Sequence, residues 1–258
     1  MADSLKLTGV VLRTVDYGES DRVVTLLTAE RGKVSAFARA ARASRRRFGG
    51  ALEPFTLVRA EARERRGAEL LSLESVAVER GFGAIRADLA RLACAGYACD
   101  LARELVRDAE PHRDLLALLV EYLARLDAGP ARPTALRAYE LLALGAAGLM
   151  PRLTACARCG GPIGGEERLA FDPAHGGALC AGCSRHASPA APRLAPATLS
   201  QLARLQRGGL ALAEAEPLTP SAGTEARDAL SRFVEHHLGG RLPSRKFLDE
   251  IGPVLHPG

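Results

Sequence analysis

Four cysteines of the chain fall into two short pairs whose spacing is typical of a metal site. Cys156 and Cys159 form one C-x-x-C pair, and Cys180 and Cys183 form a second pair after twenty intervening residues. On a tight turn, two thiolates three residues apart can face one Zn²⁺ at about 2.3 Å, and a second pair completes the tetrahedron. We therefore predict one zinc ion on these four sulfurs. Because four sulfur ligands leave no position for water, the predicted role of this zinc is structural rather than catalytic.

Other interpretations of the cysteines remain open at this point. Two disulfides would also use four thiols, but a chain without a secretion signal disfavours them. Four free thiols at this spacing would be a coincidence. His175 and His186 lie nearby and could serve in a variant metal site, although we interpret them as solvated loop residues. Cys94 and Cys99 fall in a helical pattern and are expected to be buried structural thiols.

The second feature that could do chemistry is a basic segment early in the chain. The chain carries a net charge of +5, and residues 31–47 contain seven basic residues and no acid. Guanidinium groups bind phosphates in a bidentate manner, and each neutralised phosphate releases counterions. The segment therefore predicts contacts with a DNA backbone, although a solvated basic loop over residues 40–50 is the alternative. The predicted DNA-binding residues are Lys33, Arg39, Arg42, Arg45, Arg46 and Arg47.

Aromatic side chains near these arginines could stack on nucleic-acid bases. Phe37 lies on the polar face of its predicted strand and is the candidate platform, while Phe48 is a weaker one. Ordinary core packing is the alternative for both rings. If the basic loop is not the DNA site, Arg241, Arg245 and Lys246 near the other end of the chain are the next candidates.

No catalytic constellation is visible, so we expect a protein that is not an enzyme and assign no catalytic residues. The chain has no phosphate-binding loop, no nucleophile elbow and no H-E-x-x-H motif. A zinc-dependent nuclease would need an open metal position or a cluster of acids. Asp16, Glu19 and Asp21 flank a turn, where solvated acids are common. His236 and His237 lie at the C-terminal end of a predicted helix, where they interact favourably with the helix dipole and are not expected to bind a metal.

The elements that must position these residues predict an α+β fold. Alternating strands indicate a five-stranded barrel of the OB type over residues 1–82. A helical domain follows over residues 83–258 and contains a four-cysteine zinc-ribbon segment at 152–186, in which residues 169–172 and 178–180 can form a hairpin. The strands are predicted at 5–15, 22–28, 32–39, 53–65 and 70–78, and the helices at 85–107, 113–126, 134–148, 197–205 and 224–238.

Targeting and membrane signals are missing from the sequence. The chain starts without the basic and apolar regions of a secretory signal. Its purest apolar stretch, residues 141–150, is far shorter than the roughly 20 residues that span a bilayer. We therefore expect a soluble, cytoplasmic protein with no membrane partner. Residues 188–196 contain three prolines and are expected to form a linker or rigid loop.

Short segments spread along nearly the full length of the chain match those of a known family. The matching segments are residues 9–13 (GVVLR), 17–22 (YGESDR), 24–28 (VTLLT), 30–33 (ERGK), 52–55 (LEPF), 148–151 (GLMP), 237–240 (HLGG) and 244–248 (SRKFL). The N-terminal run is the most specific part, and the paired cysteines and the order of the segments also match. In these residues the chain resembles the bacterial RecO family of DNA repair and recombination proteins.

The resemblance implies an OB barrel, a helical body and, as in many members, a four-cysteine zinc site. It further implies binding of single- and double-stranded DNA, annealing of complementary strands, and help in loading RecA. The implied partners are RecR and the C-terminal tail of single-strand-binding protein, with a nucleoid-associated location. Arg125, Arg132 and Arg137, near the apolar helices, could receive that acidic tail in a groove, or these helix faces are entirely core. A zinc-ribbon docking scaffold without DNA affinity is the competing function.

Overall fold

The computed structural model describes residues 4–64, 67–165 and 167–251, although the side chains of Arg45 and Arg46 lie outside the described part. Contacts within the chain divide it into two compact units, Met1–Pro130 and Ala131–Gly258. None of the described helices is long and apolar enough to cross a membrane.

The first unit begins with a closed barrel of five strands, as predicted. Its strand order is β1-β2-β3-β5-β4, and β4 pairs back with β1. All neighbours are antiparallel except β3 and β5, which close the barrel in parallel over two residue pairs. This mixed α+β fold with an OB-type barrel confirms the predicted fold class. The strands are β1 (Ser4–Tyr17), β2 (Asp21–Thr28), β3 (Gly32–Ala38), β4 (Thr56–Arg63) and β5 (Leu71–Gly81), and a one-turn helix α1 (Arg45–Phe48) lies between β3 and β4.

The barrel interior follows from the alternation of small and branched apolar residues along each strand. In β3, Val34, Ala36 and Ala38 are buried, whereas Lys33 and Phe37 on the other face are partly exposed. Successive side chains of a strand point to opposite faces, so this pattern fixes which residues fill the barrel. The interior also contains residues from β1, β2, α1, the loop before β4, β4 and β5, namely Leu7, Val11, Val24, Leu26, Phe48, Ala51, Leu52, Val58, Ala60, Ala62 and Leu73.

Two helices complete the first unit. A 3-10 turn (Gly83–Ala87) leads into α2 (Leu89–Leu105), and α3 (Arg113–Ala128) follows. The Asp88 carboxylate accepts a hydrogen bond from the Arg91 N–H at 2.9 Å and caps α2. Both helices pack against β1, and α3 also packs against β2.

The start of β3 is docked tightly on the connection between α2 and α3. A Cβ atom at Gly32, where φ is +62°, would lie 1.8 Å from the carbonyl oxygen of Glu110. The Ala109 N–H donates to the Lys33 carbonyl at 2.9 Å. Only glycine allows the two backbones to approach this closely.

The second unit combines helices with a small sheet. Four of its helices begin with a proline, which suits the first helical turn because its N–H has no intrahelical partner there. These are α4 (Pro133–Ala146), α6 (Pro196–Ala215), α7 (Pro220–Leu238) and α8 (Pro243–Glu250), and between α4 and α6 lie β6 (Leu169–Asp172), β7 (Gly177–Ala178), the one-turn helix α5 (Ala181–Ser184) and β8 (Arg193–Leu194).

Three details of this unit differ from the sequence prediction. The helix predicted at 197–205 is followed, after a break at Gly209 where φ is +64° and ψ is −155°, by a second helical segment up to Ala215. Helix α8 was not predicted. The expected linker at 188–196 contributes β8, which pairs with β6 through Leu194 and Leu169. A two-residue strand carries too little pattern to be recognised from its own sequence.

Candidate functional site

The four predicted metal ligands come together in the second unit. The sulfur atoms of Cys156, Cys159, Cys180 and Cys183 all lie within 4.8 Å of one another. The Cys159 and Cys180 sulfurs are 3.8 Å apart, which is about the edge of a tetrahedron with metal–sulfur bonds of about 2.3 Å. A disulfide would require about 2.05 Å. The donor set and its spacing fit a metal ion held by four thiolates.

Local backbone geometry sets each cysteine pair. In the first pair, the Gly160 N–H donates to the Cys156 carbonyl at 2.9 Å, and Gly160 has a φ of +73°. In the second pair, Cys180 precedes α5, and the Cys183 N–H donates to the Cys180 carbonyl at 3.0 Å. The Ala157 N–H donates to the Ala178 carbonyl at 2.7 Å, which ties the first turn to the β6–β7 hairpin. The predicted hairpin therefore brings the two pairs together.

The backbone also prepares one thiol for ligation. Burial by itself raises the pKa of the Cys156 thiol, but the N–H groups of Cys159, Cys180 and Arg158 outweigh it and lower that pKa to about 6. A thiolate is the form that binds a metal. The turn therefore supplies an anionic sulfur near neutral pH.

The neighbouring histidines and the two remaining cysteines lie outside the metal group of the described residues. The His175 ring contacts the Asp172 carboxylate at 2.7 Å, and His186 accepts a hydrogen bond from Arg185 at 3.1 Å. Cys94 and Cys99 are buried in α2, as expected.

The six predicted DNA-binding residues have different environments on the barrel. The Lys33 ammonium is 3.2 Å from Asp108 and donates to the Arg103 carbonyl at 3.0 Å, and its side chain is only 18% exposed. Arg39 and Arg42 are exposed. The side chains of Arg45 and Arg46 lie outside the described residues.

Arg47 is held in place by the loop that carries it. Its guanidinium donates to the Ser44 hydroxyl at 3.1 Å and to the Arg39 carbonyl at 2.7 Å, and it lies 4.9 Å from the ring centre of Phe48. Phe48 is 2% exposed and belongs to the barrel core, which answers the question that the sequence left open for this ring. The loop thus has an apolar anchor that its charge pattern did not reveal.

Phe37 has an aromatic neighbour that lies far from it in the sequence and was not predicted. The Tyr17 ring packs edge-to-face on the Phe37 ring with centroids 5.7 Å apart. Tyr17 is 61% exposed, whereas Phe37 is half-buried. The two rings are separated by twenty residues, so only the strand pairing brings them together, and the alternation of β1 could have indicated that Tyr17 faces outward.

The acids near this surface are engaged in local contacts. Arg22 lies between Asp16 and Glu53, at 3.0 and 3.1 Å. The Asp21 carboxylate accepts a hydrogen bond from the Ala40 N–H at 2.6 Å. The main-chain carbonyl of Glu19, not its carboxylate, accepts a hydrogen bond from Arg42 at 3.1 Å. The carboxylates of Asp16 and Asp21 and the main chain of Glu19 therefore organise the β1–β2 turn and the loop after β3.

The other candidate arginines differ in burial. Arg125 is half-buried and pairs with Glu121 at 2.8 Å, and Arg132 is exposed before α4. Arg137 and Arg245 are buried and flank the Glu140 carboxylate, at 3.1 and 3.8 Å. The outer partners of this cluster, Arg241 and Asp249, form an ion pair with each other, and Arg245 contacts Asp249 at 3.1 Å. Lys246, between these contacts, is exposed.

Comparisons with known proteins agree with the fold. The family described as Recombination protein O N terminal matches residues 1–82, and that described as Recombination protein O C terminal matches residues 86–246. These matched ranges place a boundary after the barrel, whereas the compact units divide after Pro130. The predicted division after residue 82 stays a prediction.

Relatives named DNA repair protein RecO match nearly the whole chain. The Anaeromyxobacter sp. (strain K) protein is 70% identical over 98% of this chain and 99% of its own length. The Myxococcus xanthus protein is 51% identical over 94% and 96%. The Geobacter sulfurreducens protein is 39% identical over 96% and 99%. The chain therefore belongs to the RecO family of DNA repair proteins and has a role in DNA repair and recombination.

Proposed function

We propose that this protein is a non-enzymatic recombination mediator that binds single- and double-stranded DNA, anneals complementary strands and helps RecR to load RecA. Membership of the RecO family supports the role as a whole. The structural observation that carries DNA binding is the state of the barrel arginines. Arg39 and Arg42 are exposed, and no carboxylate lies within ion-pair distance of either among the described residues.

The arginines on another face of the barrel provide the contrast. Arg59 lies 3.7 Å from Glu79, and Arg63 lies 2.9 Å from Glu74. An arginine beside a carboxylate has part of its charge neutralised, whereas an arginine without one is available to a phosphate. Phosphate contacts carry no base identity, so binding through Arg39 and Arg42 is independent of sequence.

A salt-titrated binding measurement tests the proposal. If about four side chains of the predicted set contact phosphate, log affinity should fall against log salt with a slope of about −3 for single strands and about −4 for duplex. Annealing is followed in the same buffers with complementary oligonucleotides. Absence of DNA affinity at low salt would contradict the proposal and leave the zinc-ribbon docking scaffold as the better function.

We further propose that the four cysteines hold one structural Zn²⁺. Zinc favours four sulfur ligands in a tetrahedral arrangement, and the 3.8 Å sulfur separation supports that geometry. The bound metal would supply folding free energy, because the site does not exist in the unfolded chain. Cys159→Ser should lower zinc content and stability together, whereas Cys94→Ala, at a buried cysteine outside the group, should keep about one zinc per chain. A wild-type protein purified without chelator that holds far less than one zinc would contradict this.

Partners and location complete the proposal. RecR and the C-terminal tail of single-strand-binding protein are the partners that family membership supports, and a cytoplasmic, nucleoid-associated location follows from the DNA role. Of the arginines predicted to receive the tail, Arg132 is exposed, while Arg137 is buried against Glu140. Binding of a tail peptide at low salt, measured by calorimetry with Arg132→Ala, tests this part.

A further inference from the structure

The outer face of strands β1, β2 and β3 carries a continuous row of apolar side chains. Val15 of β1 lies opposite Val23 of β2, and Val23 lies opposite Phe37 of β3. Directly opposed residues share one face of a sheet. Tyr17, two residues beyond Val15, is on the same face, and its ring meets that of Phe37 edge-to-face with an interplanar angle of 81°. We call Tyr17 and Phe37 the aromatic platform.

The aromatic platform has far more access to solvent than the Phe171–Phe233 ring pair of the second unit. The Phe171–Phe233 pair, with centroids 5.6 Å apart, is fully buried. Single exposed apolar residues are common and need no explanation. The Tyr17 ring, by contrast, is packed on Phe37 but exposes most of its surface, and Val15 and Val23 lie beside it. A flat molecule could therefore stack on this ring.

Cationic side chains border the aromatic platform. Arg13 is on β1 on the same face as Val15 and Tyr17, and Arg39 follows β3 two residues after Phe37. Both are exposed, and neither has a carboxylate within ion-pair distance among the described residues. Among the acids near the platform, Asp21 lies opposite Tyr17 in the β1–β2 pairing and its carboxylate accepts a hydrogen bond from the Ala40 N–H, while Asp16 is paired with Arg22. The surface therefore combines aromatic rings with positive charge.

We propose that the aromatic platform stacks with bases of single-stranded nucleic acid while Arg13 and Arg39 contact the adjoining phosphates. This inference rests on the proposed DNA binding and adds a strand preference to it. A base has a flat apolar face and is followed along the strand by an anionic phosphate, which matches rings bordered by arginines. In a duplex the base faces are already stacked on each other, so only a single strand offers them to Tyr17. Every base has such a face, so the site should tolerate any sequence.

The first test compares Tyr17→Ala with the wild-type protein by fluorescence anisotropy on three probes. These are a single-stranded oligonucleotide, the same strand with abasic positions, and the duplex. Stacking of one base predicts a loss of roughly 10-fold on the single strand, with less than about 2-fold on the abasic strand and the duplex because neither offers a free base. Tyr17→Phe should retain the wild-type affinity, since it keeps the ring.

The salt dependence separates stacking from phosphate contact. Stacking releases no counterions, so Tyr17→Ala should weaken single-strand binding without changing the slope of log affinity against log salt. Arg13→Ala should instead flatten that slope by about 0.7. Because Tyr17 is mostly exposed, its replacement should leave the fold intact, which an unfolding curve checks.

The second test uses the absence of tryptophan from this sequence. A Tyr17→Trp variant carries one indole at the aromatic platform, and Val78→Trp carries one at a position of β5 that is 51% exposed. Single-stranded DNA should quench the fluorescence of the first variant and leave the second nearly unchanged.

The outcomes distinguish the two proposals. If the wild-type protein binds none of the probes, the proposed DNA binding is wrong, and the proposed base stacking on the aromatic platform is wrong with it. If the wild-type protein binds with the expected salt slope, the platform proposal is overturned by either of two results: Tyr17→Ala losing no single-strand affinity, or Tyr17→Ala weakening duplex and abasic probes equally. Quenching of the Val78→Trp variant to the same extent as the Tyr17→Trp variant would also overturn it.

Discussion

Arginines occupy two contrasting environments in this protein. In the second unit, Arg137 and Arg245 are buried on either side of Glu140, whose carboxylate is fully inaccessible. On the barrel, Arg39 and Arg42 are exposed and lack a carboxylate partner among the described residues. The side chain is the same in both places, but in the first its charge is used inside the fold and in the second it faces solvent.

The difference shows that the number of arginines in a segment does not locate a DNA site. A buried guanidinium must have a carboxylate partner, since an unpaired charge in the interior is costly. An exposed guanidinium needs none and remains available to an anion. Arg245 was one of the alternative DNA contacts predicted from sequence, and its buried position beside Glu140 and Asp249 argues for a structural role.

Among variants of the arginine contacts, the largest effect on stability should come from Glu140→Ala. Removing one member of a buried ion cluster leaves uncompensated charge, which typically costs about 3–5 kcal/mol of unfolding free energy. Urea unfolding of the full chain measures it. Glu121→Ala removes the exposed partner of Arg125 and should cost no more than about 0.5 kcal/mol. Equal losses in the two variants would remove the distinction between buried and exposed arginines.

Arg47→Ala should have an intermediate effect, because this arginine is a basic-loop residue with structural contacts. It loses hydrogen bonds to Ser44 and Arg39 and its contact with the Phe48 ring, together worth about 1–2 kcal/mol. The urea midpoint should fall, with Arg39→Ala, which removes an exposed side chain but keeps the main-chain carbonyl that Arg47 contacts, as the control that stays within about 0.5 kcal/mol. If the urea midpoint equals that of the wild type, the contacts of Arg47 do not stabilise the fold, and Arg47 behaves like the exposed arginines.

The Arg39→Ala, Arg42→Ala double variant should leave stability within about 0.5 kcal/mol per site while changing DNA binding. The loss of two phosphate contacts should flatten the single-strand salt slope by about 1.4, since each contact contributes about 0.7. Affinity should fall about equally for unrelated sequences, because the contacts read only the backbone. A folded double variant with an unchanged slope would move the DNA site off this part of the barrel.

The smallest effect is expected for Arg59→Ala and Arg63→Ala, which lie beside Glu79 and Glu74 on another face of the barrel. Exposed ion pairs contribute about 0–1 kcal/mol. If arginine charge matters only where no carboxylate is near, both variants should keep the wild-type salt slope. If their salt slopes flatten as much as that of the double variant, an ion pair with a carboxylate does not keep an arginine from contacting phosphate.

Local patterns in the sequence predicted much of the fold and the cluster of four cysteines. The alternation along β3 assigned Val34, Ala36 and Ala38 to the interior, and the two C-x-x-C pairs identified the cysteines whose sulfurs come together. These features are contained within a few neighbouring residues. The alternation of side chains is therefore enough to predict which face of a strand is buried, and the spacing of the thiols is enough to predict which cysteines come together.

What the sequence did not show depends on contacts between distant segments. The sequence predicts Lys33 as a DNA-binding residue, but its ammonium group contacts the Arg103 carbonyl and the Asp108 carboxylate, which lie some seventy residues later in the chain. Tyr17 gives no sign of its proximity to Phe37, because the strand register creates it. In α6 the first helical segment ends at Gly209, as a glycine normally predicts, but the sequence did not show the second segment up to Ala215, in which Leu210 and Ala213 are buried.

The close docking of Gly32 and Lys33 on residues 108–110 has a consequence for how the chain can be divided. A fragment that ends at residue 82 would contain all five strands. It would lose the hydrogen bond from the Ala109 N–H to the Lys33 carbonyl and the ion pair between the Lys33 ammonium and Asp108. It would also uncover the faces of β1 and β2 on which α2 and α3 pack. A fragment that ends at Pro130 retains every one of these contacts. The minimal independently folding piece is therefore expected to include α2 and α3, and expression trials of the barrel should cut after residue 130.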